Sequence, residues 1–533
     1  MNVHTFDFKR ISTYFLLSSI VLYFIFLIPI HSSYYGGEDL KFLFGGWNKP
    51  CVMEDGFNWV KSLGRPLQAY MECASFKYAS SLAGLKVIRF ICILLFGLGM
   101  GLFADWLCTL GFSFWGAFCA SGSLFLIPKL YSDTILTSVL ALPFAVLFSV
   151  IAYRCICESH DYSFSDIKNK FIWQFLGMLF LLFALLTYPA MAFVFGSFIL
   201  FKTFFSQVRN WPKKRIEISK EIFIFFFVCF IYFLWGQYRI YRHPRASIPI
   251  QYQMHANLNL HELVHRIRPI LNVFGEGPWV TLFPQGFPLG GVTGQGWLTL
   301  LVLVLGVFIG FFTFLRNSFS RNQDYSFFTL IQQIFIVFIL FGLCNAFYLG
   351  IPVQETMGSK LLFASVASGI PLLFWCVYQC VSIFPKRMNQ NLFFAFLVVF
   401  FVIEGSQASL STAENVRFFE KRFALLQHTV SEYLVKGNHL QRLHFIIPEP
   451  DHAYMRFFWA NAVLLHTLGQ KSYQIKWCSL PRGYEGKEED HQAEALACIH
   501  SLSKGTIAIT YTRPGEHYLN SKDMLLMGQE VWI

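Results

Sequence analysis

The chain has 533 residues, of which 55% are apolar, 19% aromatic and only 14% charged, with a mean hydropathy of +0.49. A soluble core cannot take in that much apolar surface, so the composition excludes an ordinary soluble globular protein and points to a polytopic membrane protein. The net charge of +11 is no nucleic-acid footprint, because the basic residues gather in short turns between apolar runs, which is a pattern of membrane topology.

In chain order, the first apolar run, Ile11 to Ile30, follows Lys9 and Arg10 and has no small-x-small cleavage site before Glu38. It reads as a retained first span and not as a signal peptide. Runs of about 17 to 25 apolar residues predict eleven membrane helices. They begin near Ile11, Val87, Leu107, Thr134, Phe171, Pro189, Ile222, Trp297, Phe327, Leu361 and Leu392, with tight turns expected around Asp105 and around Tyr188-Pro189. With the first ten residues inside, the even-numbered turns carry Arg154, Lys168 and Lys170, then Lys202, Arg209, Lys213, Lys214, Arg215 and Lys220, then Arg316 and Arg321, then Lys386 and Arg387. The opposite short loops hold little beyond Lys129. This asymmetry predicts a cytoplasmic amino terminus and an external carboxy terminus.

Three non-membrane pieces then fall outside: loop 32–86, loop 239–296 and a tail from about Gly405. In the tail an amphipathic run, Glu414 to Val435, precedes β-like stretches at Leu443–Ile447, Tyr473–Trp477 and Thr506–Tyr511, with helical stretches at Met455–Leu468 and Glu488–Leu502 between them. The alternation predicts a small α/β domain. The expected fold is therefore an α-helical polytopic membrane domain, 1–404, followed by an extracytoplasmic α/β domain, 405–533. Cys51 and Cys73 share the first loop and Cys478 and Cys498 share the tail. Two disulfides in an oxidising compartment, or four free thiols, both fit.

Chemistry-bearing residues concentrate in the first loop. Glu38 and Asp39 sit at the lip of the first span, where carboxylates are costly unless they face water, a cation or the protein interior. Arg65, Lys86 and Arg89 supply cations, and Lys129, Tyr131 and Asp133 lie at the mouth of spans three and four. A carboxylate that takes a proton from an acceptor hydroxyl, with cations or a metal on a departing phosphate, is the equipment for group transfer from a lipid phosphate. Each residue also has a plainer reading: Arg65 bracing its turn, Arg89 snorkelling to the interface, Asp133 capping a helix. The sequence has no Walker loop and no dinucleotide fingerprint.

The acidic pair Glu38-Asp39, the Gly45-Gly46-Trp47 triplet, the turn Gly64-Arg65-Pro66-Leu67 and the entry Leu85-Lys86-Val87-Ile88-Arg89 together resemble the bacterial membrane glucosyltransferases that modify O-antigen. These belong to the polytopic GT-C class of glycosyltransferases, which use polyprenyl-phosphate sugars. The resemblance covers about residues 30–100 and is diffuse beyond them. It implies a GT-C-like fold in the bacterial inner membrane with its active face and tail in the periplasm. It also implies inverting transfer of a hexose, glucose foremost, from a polyprenyl-phosphate donor to a glycan or lipid-linked glycan such as O-antigen. Asp39 maps onto the base with Glu38 beside it, and Arg65 onto a phosphate partner, while a divalent metal is optional. Arg89, Lys129 and Asp133 are placed near the phosphate by topology alone. The family often has two aspartates where this chain has Glu38-Asp39, so either acid fits the role of base.

Two other readings compete. A transporter or flippase of lipid-linked sugars would spread ionisable groups near the midplane of several spans, whereas the sequence suggests charges gathered at one external rim. In loop 239–296, His261-Glu262-Leu263-Val264-His265 matches the H-E-x-x-H pattern of zinc peptidases, which places two imidazoles on one helix face. No Gly-x-x-His follows it, however, and Arg239, Arg242, Arg245, Arg266 and Arg268 make the loop basic. An amphipathic helix over the external mouth, facing lipid or anionic glycan, accounts for those residues better.

Overall fold

The computed structural model describes residues 7–34, 60–61, 64–78, 82–126, 140–161, 167–205, 211–242, 308, 312, 327–350, 363–382, 384–435, 442–447, 474–479 and 506–510. Among them, six helices are long and apolar enough to cross a membrane: Phe8–Ile25, Leu82–Thr109, Ala141–His160, Ile167–Thr187, Lys213–Tyr238 and Lys386–Leu410. Shorter apolar helices lie at Phe114–Phe125, Pro189–Phe205, Ile334–Cys344 and Ala367–Val381. The chain is an α-helical, multi-pass membrane-embedded protein. The span predicted from Trp297 falls outside the described residues except for Phe308 and Phe312.

The helices are α1 (Phe8–Ile25), α2 (Leu27–His31), α3 (Pro66–Tyr78), α4 (Leu82–Thr109), α5 (Phe114–Phe125), α6 (Ala141–Asp161), α7 (Ile167–Thr187), α8 (Pro189–Ala192), α9 (Phe195–Phe205), α10 (Trp211–Arg242), α11 (Phe327–Gly350), α12 (Phe363–Val381) and α13 (Lys386–Val435). Three short strands follow: β1 (Arg442–Ile447), β2 (Gln474–Ser479) and β3 (Thr506–Thr510). They form a parallel sheet in the order β2-β1-β3, with Phe445 opposite Trp477 and Ile509. The chain divides into two compact units, one of Met1–His31 with Cys51–Glu414 and one of Ser32–Pro50 with Asn415–Ile533.

Several expected boundaries move. The segment 32–86, read as an external loop, contains α3 and the first turn of α4. The turn expected around Asp105 is helical, because α4 runs on to Thr109 and the reversal falls at 110–113. A buried carboxylate resembles a loop residue in sequence, but here it is ion-paired with arginines on other helices. Helix α13 passes unbroken through Gly405, where the tail was expected to begin, and the compact unit closes nine residues later at Glu414. One glycine costs only about 1 kcal/mol in a helix, too little to stop it without a proline.

Helix α4 is central to the first unit, packing on α1, α5 and α6. Gly97 and Gly101, one turn apart, let α1 approach closely: a β-carbon on Gly101 would lie 2.9 Å from the backbone nitrogen of Phe15, and one on Gly97 would strike Ser19. Small residues at four-residue spacing are the usual means of close helix packing in lipid, where no hydrophobic force separates helix from solvent. Phe103, Trp106, Tyr153, Phe198 and Phe201 interlock by stacked and edge-on ring contacts between α4, α6 and α9, with centroids 4.8–5.5 Å apart. That is the range in which aromatic pairs attract beyond simple burial.

Candidate functional site

Two prolines build the site. A residue preceding proline is forced out of the helical region by the ring of the next residue. Tyr188 accordingly sits extended at φ −151, ψ 96 between α7 and α8, with Pro189 opening the short helix. Arg65 precedes Pro66, which opens α3 as the first helical residue, the position where a missing N–H costs nothing. The Arg65 carbonyl accepts from the Ala69 N–H at 3.1 Å, so the chain enters the helix directly from Arg65.

These two displaced residues meet. The Arg65 guanidinium lies over the Tyr188 ring, 4.2 Å from its centroid, and Tyr188 itself is buried. Such a cation–π contact stabilises by about 2 kcal/mol when desolvated. The turn that carries Arg65 is fixed from a third element. Gly64 takes φ +80, which only glycine adopts cheaply, and its carbonyl accepts from the Tyr232 hydroxyl of α10 at 3.1 Å.

From Arg65 a polar stripe runs down one face of α3 at the helical spacing of three and four: Gln68, Glu72 and Ser75, all buried. The Gln68 amide nitrogen donates to the Glu72 carboxylate at 2.6 Å, and the Ser75 hydroxyl donates to the Glu72 carbonyl at 3.0 Å. The Gln68 Oε1 and the Arg65 Nε are both shielded and have no hydrogen-bond partner among the described residues. Buried polar atoms in native structures are almost always paired, and leaving one unpaired costs about 1–3 kcal/mol. A guanidinium on an aromatic face, with an unengaged donor and a buried amide acceptor one turn along, is suited to an anion linked to a hydroxyl-bearing group. Gln68 and Glu72 were not singled out from sequence. The signal was the polar period from Arg65 to Ser75, masked by reading the whole segment as a loop.

The remaining expected site residues are distributed as follows. Arg89 is fully enclosed within α4 and donates from Nη1 to the Pro29 carbonyl at 3.4 Å. It thus lies at the last turn of α2, where a cation complements the helix dipole. This burial is not that of an arginine snorkelling to the interface. Cys73 is disulfide-bonded. The backbone of Cys478 lies in β2 opposite Ile446. Glu38, Asp39, Gly45 to Trp47, Cys51, Lys129, Asp133, His261, Glu262, His265 and Cys498 lie outside the described residues.

The expectation that charges gather at one rim is corrected by a second, buried layer at the opposite ends of the helices. Asp105 of α4 pairs with Arg10 Nε of α1 at 2.5 Å and with Arg154 Nη2 of α6 at 2.9 Å, while Arg154 also reaches Glu158 at 3.5 Å. Beside it, Lys202 of α9 pairs with Glu221 at 2.5 Å and Glu217 at 3.0 Å, both on α10, and His160 of α6 lies 3.3 Å from Glu221. These residues were read as loop charges or passed over. Their burial follows from opposite charges meeting across helix ends, which no single run of sequence displays.

No protein-family model matches the chain, and no curated protein sequence matches it.

Proposed function

We propose that this chain is an integral membrane glycosyltransferase that moves a hexose, glucose foremost, from a polyprenyl-phosphate donor to a cell-surface glycan or its lipid-linked precursor. In this reading eleven helices span a bacterial inner membrane with the amino terminus inside. The Arg65 turn, the acidic pair and an α/β tail face the periplasm. The acceptor hydroxyl gives its proton to the Asp39 carboxylate, with Glu38 as its helper, and its oxygen attacks the anomeric carbon. The bond from that carbon to the phosphate oxygen breaks, and the electron pair leaves with the polyprenyl phosphate, whose charge Arg65 offsets.

The observation that carries the reading is the state of Arg65. A cation resting on Tyr188, with no carboxylate partner among the described residues and one shielded donor unused, is poised for an anion that arrives from elsewhere. The roles of Asp39 and Glu38 rest on the resemblance of residues 30–100. A transporter reading draws less support. The buried charges of Asp105, Arg154 and Lys202 lie within about two turns of a helix end, away from the middle of their helices where a translocation site belongs.

The test is Asp39→Asn in membranes supplied with a polyprenyl-phosphate hexose and acceptor glycan. Loss of general-base action lowers the transfer rate by about 10²–10⁴-fold. A rate near that of the unmodified protein would sink the assignment of the base.

A further inference from the structure

Between α10 and α11 lies an open crevice of about 700 Å³, walled among the described residues by Ile216, Phe223, Phe335 and Ile339. Both helices pack on α9, which holds them side by side without close packing on each other. At one end the crevice is basic, with Arg215, Ser219 and Lys220 on its lip. The Arg215 Nη1 donates to Gln332 Oε1 at 3.0 Å and so bridges the two helices across that mouth. This engages one of the five guanidinium donors. Neither Arg215 nor Lys220 has a carboxylate partner among the described residues, whereas Lys213 and Lys214 beside them share Glu217.

The geometry points to a binding site for an anionic glycerophospholipid, with its phosphate held by Arg215 and Lys220 and an acyl chain lying in the crevice. From Arg215 to Phe223 the helix rises about 12 Å, most of the roughly 15 Å depth of one leaflet. The flanking Phe223 and Phe335 are 69% and 64% exposed, as lipid-facing side chains are. The basic mouth selects a negative headgroup, and a juxtamembrane cation pair is the usual means of doing so. This site is distinct from the Arg65 turn: Tyr232, which holds that turn, lies about 25 Å further along α10 than Arg215.

The full-length protein, purified in neutral detergent, is offered phosphatidylglycerol or phosphatidylcholine, and bound lipid is read by native mass spectrometry. Phosphatidylglycerol is expected to bind selectively. Lys220→Gln, which leaves the Arg215–Gln332 bridge intact, should weaken it about fivefold, and Arg215→Gln with Lys220→Gln about thirtyfold. A benzoylphenylalanine at position 335 should cross-link to lipid. Equal retention of both lipids, indifference to both variants, displacement by free glycerol phosphate, or cross-links only within the chain would each overturn the proposal. Because the readout is binding, it stands or falls independently of glycosyl transfer.

Discussion

Arg65 owes its position to its two neighbours in sequence. Gly64 supplies a left-handed backbone and Pro66 bars Arg65 from the helix, and both features were legible because glycine and proline punctuate a chain locally. Its ring partner was not legible, since Tyr188 lies beyond the next five described helices and nothing local announces the meeting. The expected outcome for Arg65→Lys is a fall of about tenfold in the proposed transfer rate and a loss of up to about 2 kcal/mol in stability, because an ammonium lacks the flat face that stacks on Tyr188. Gly64→Ala should destabilise by about 1–2 kcal/mol through its positive φ. Its β-carbon would also sit 2.8 Å from the Tyr232 oxygen, so adding Tyr232→Phe should recover part of the loss in a detergent melting experiment.

At the scale of elements, six of the eleven apolar runs coincide with helices long enough to span a membrane, because a span is written as continuous hydrophobicity. Helix α3 escaped notice because its polar stripe makes it resemble a loop, and Asp105 was read as a turn because its partners, Arg10 and Arg154, lie on other helices. The pairing predicts a measurable asymmetry. Asp105→Asn takes from the Arg154 guanidinium, only 4% exposed, the nearer of its two carboxylate partners, leaving Glu158 at 3.5 Å, and should cost up to about 3–5 kcal/mol in thermal or denaturant unfolding. Asp105→Leu combined with Arg154→Met removes both charges and should be less damaging than Asp105→Asn alone. If the double variant is the less stable of the two, the pair is not what holds α4 against α6.

For the whole molecule, the tail's strand positions were legible from clusters of β-branched and aromatic residues, as in Leu443–Ile447 and Thr506–Tyr511. The end of the membrane unit was not, because α13 continues through Gly405 to Val435 without a stop signal. The proposed orientation predicts that an impermeant thiol reagent, applied after reduction to cells whose outer barrier alone is opened, labels Cys51 and Cys478. Labelling that requires opening of the inner membrane would reverse the orientation.

The buried charge layer has a kinematic consequence. Sliding α4, α6 or α9 by one turn, about 5.4 Å, past a neighbour would tear Asp105 from Arg154 or Lys202 from Glu221. Axial shear thereby costs broken buried ion pairs, whereas pivoting about that layer keeps them. The amplitude of a pivot grows with distance from its fulcrum, and Tyr188 stands a full helix length away along α7. Small angular changes at the fixed end are therefore delivered as the largest displacements where Arg65 meets its ring.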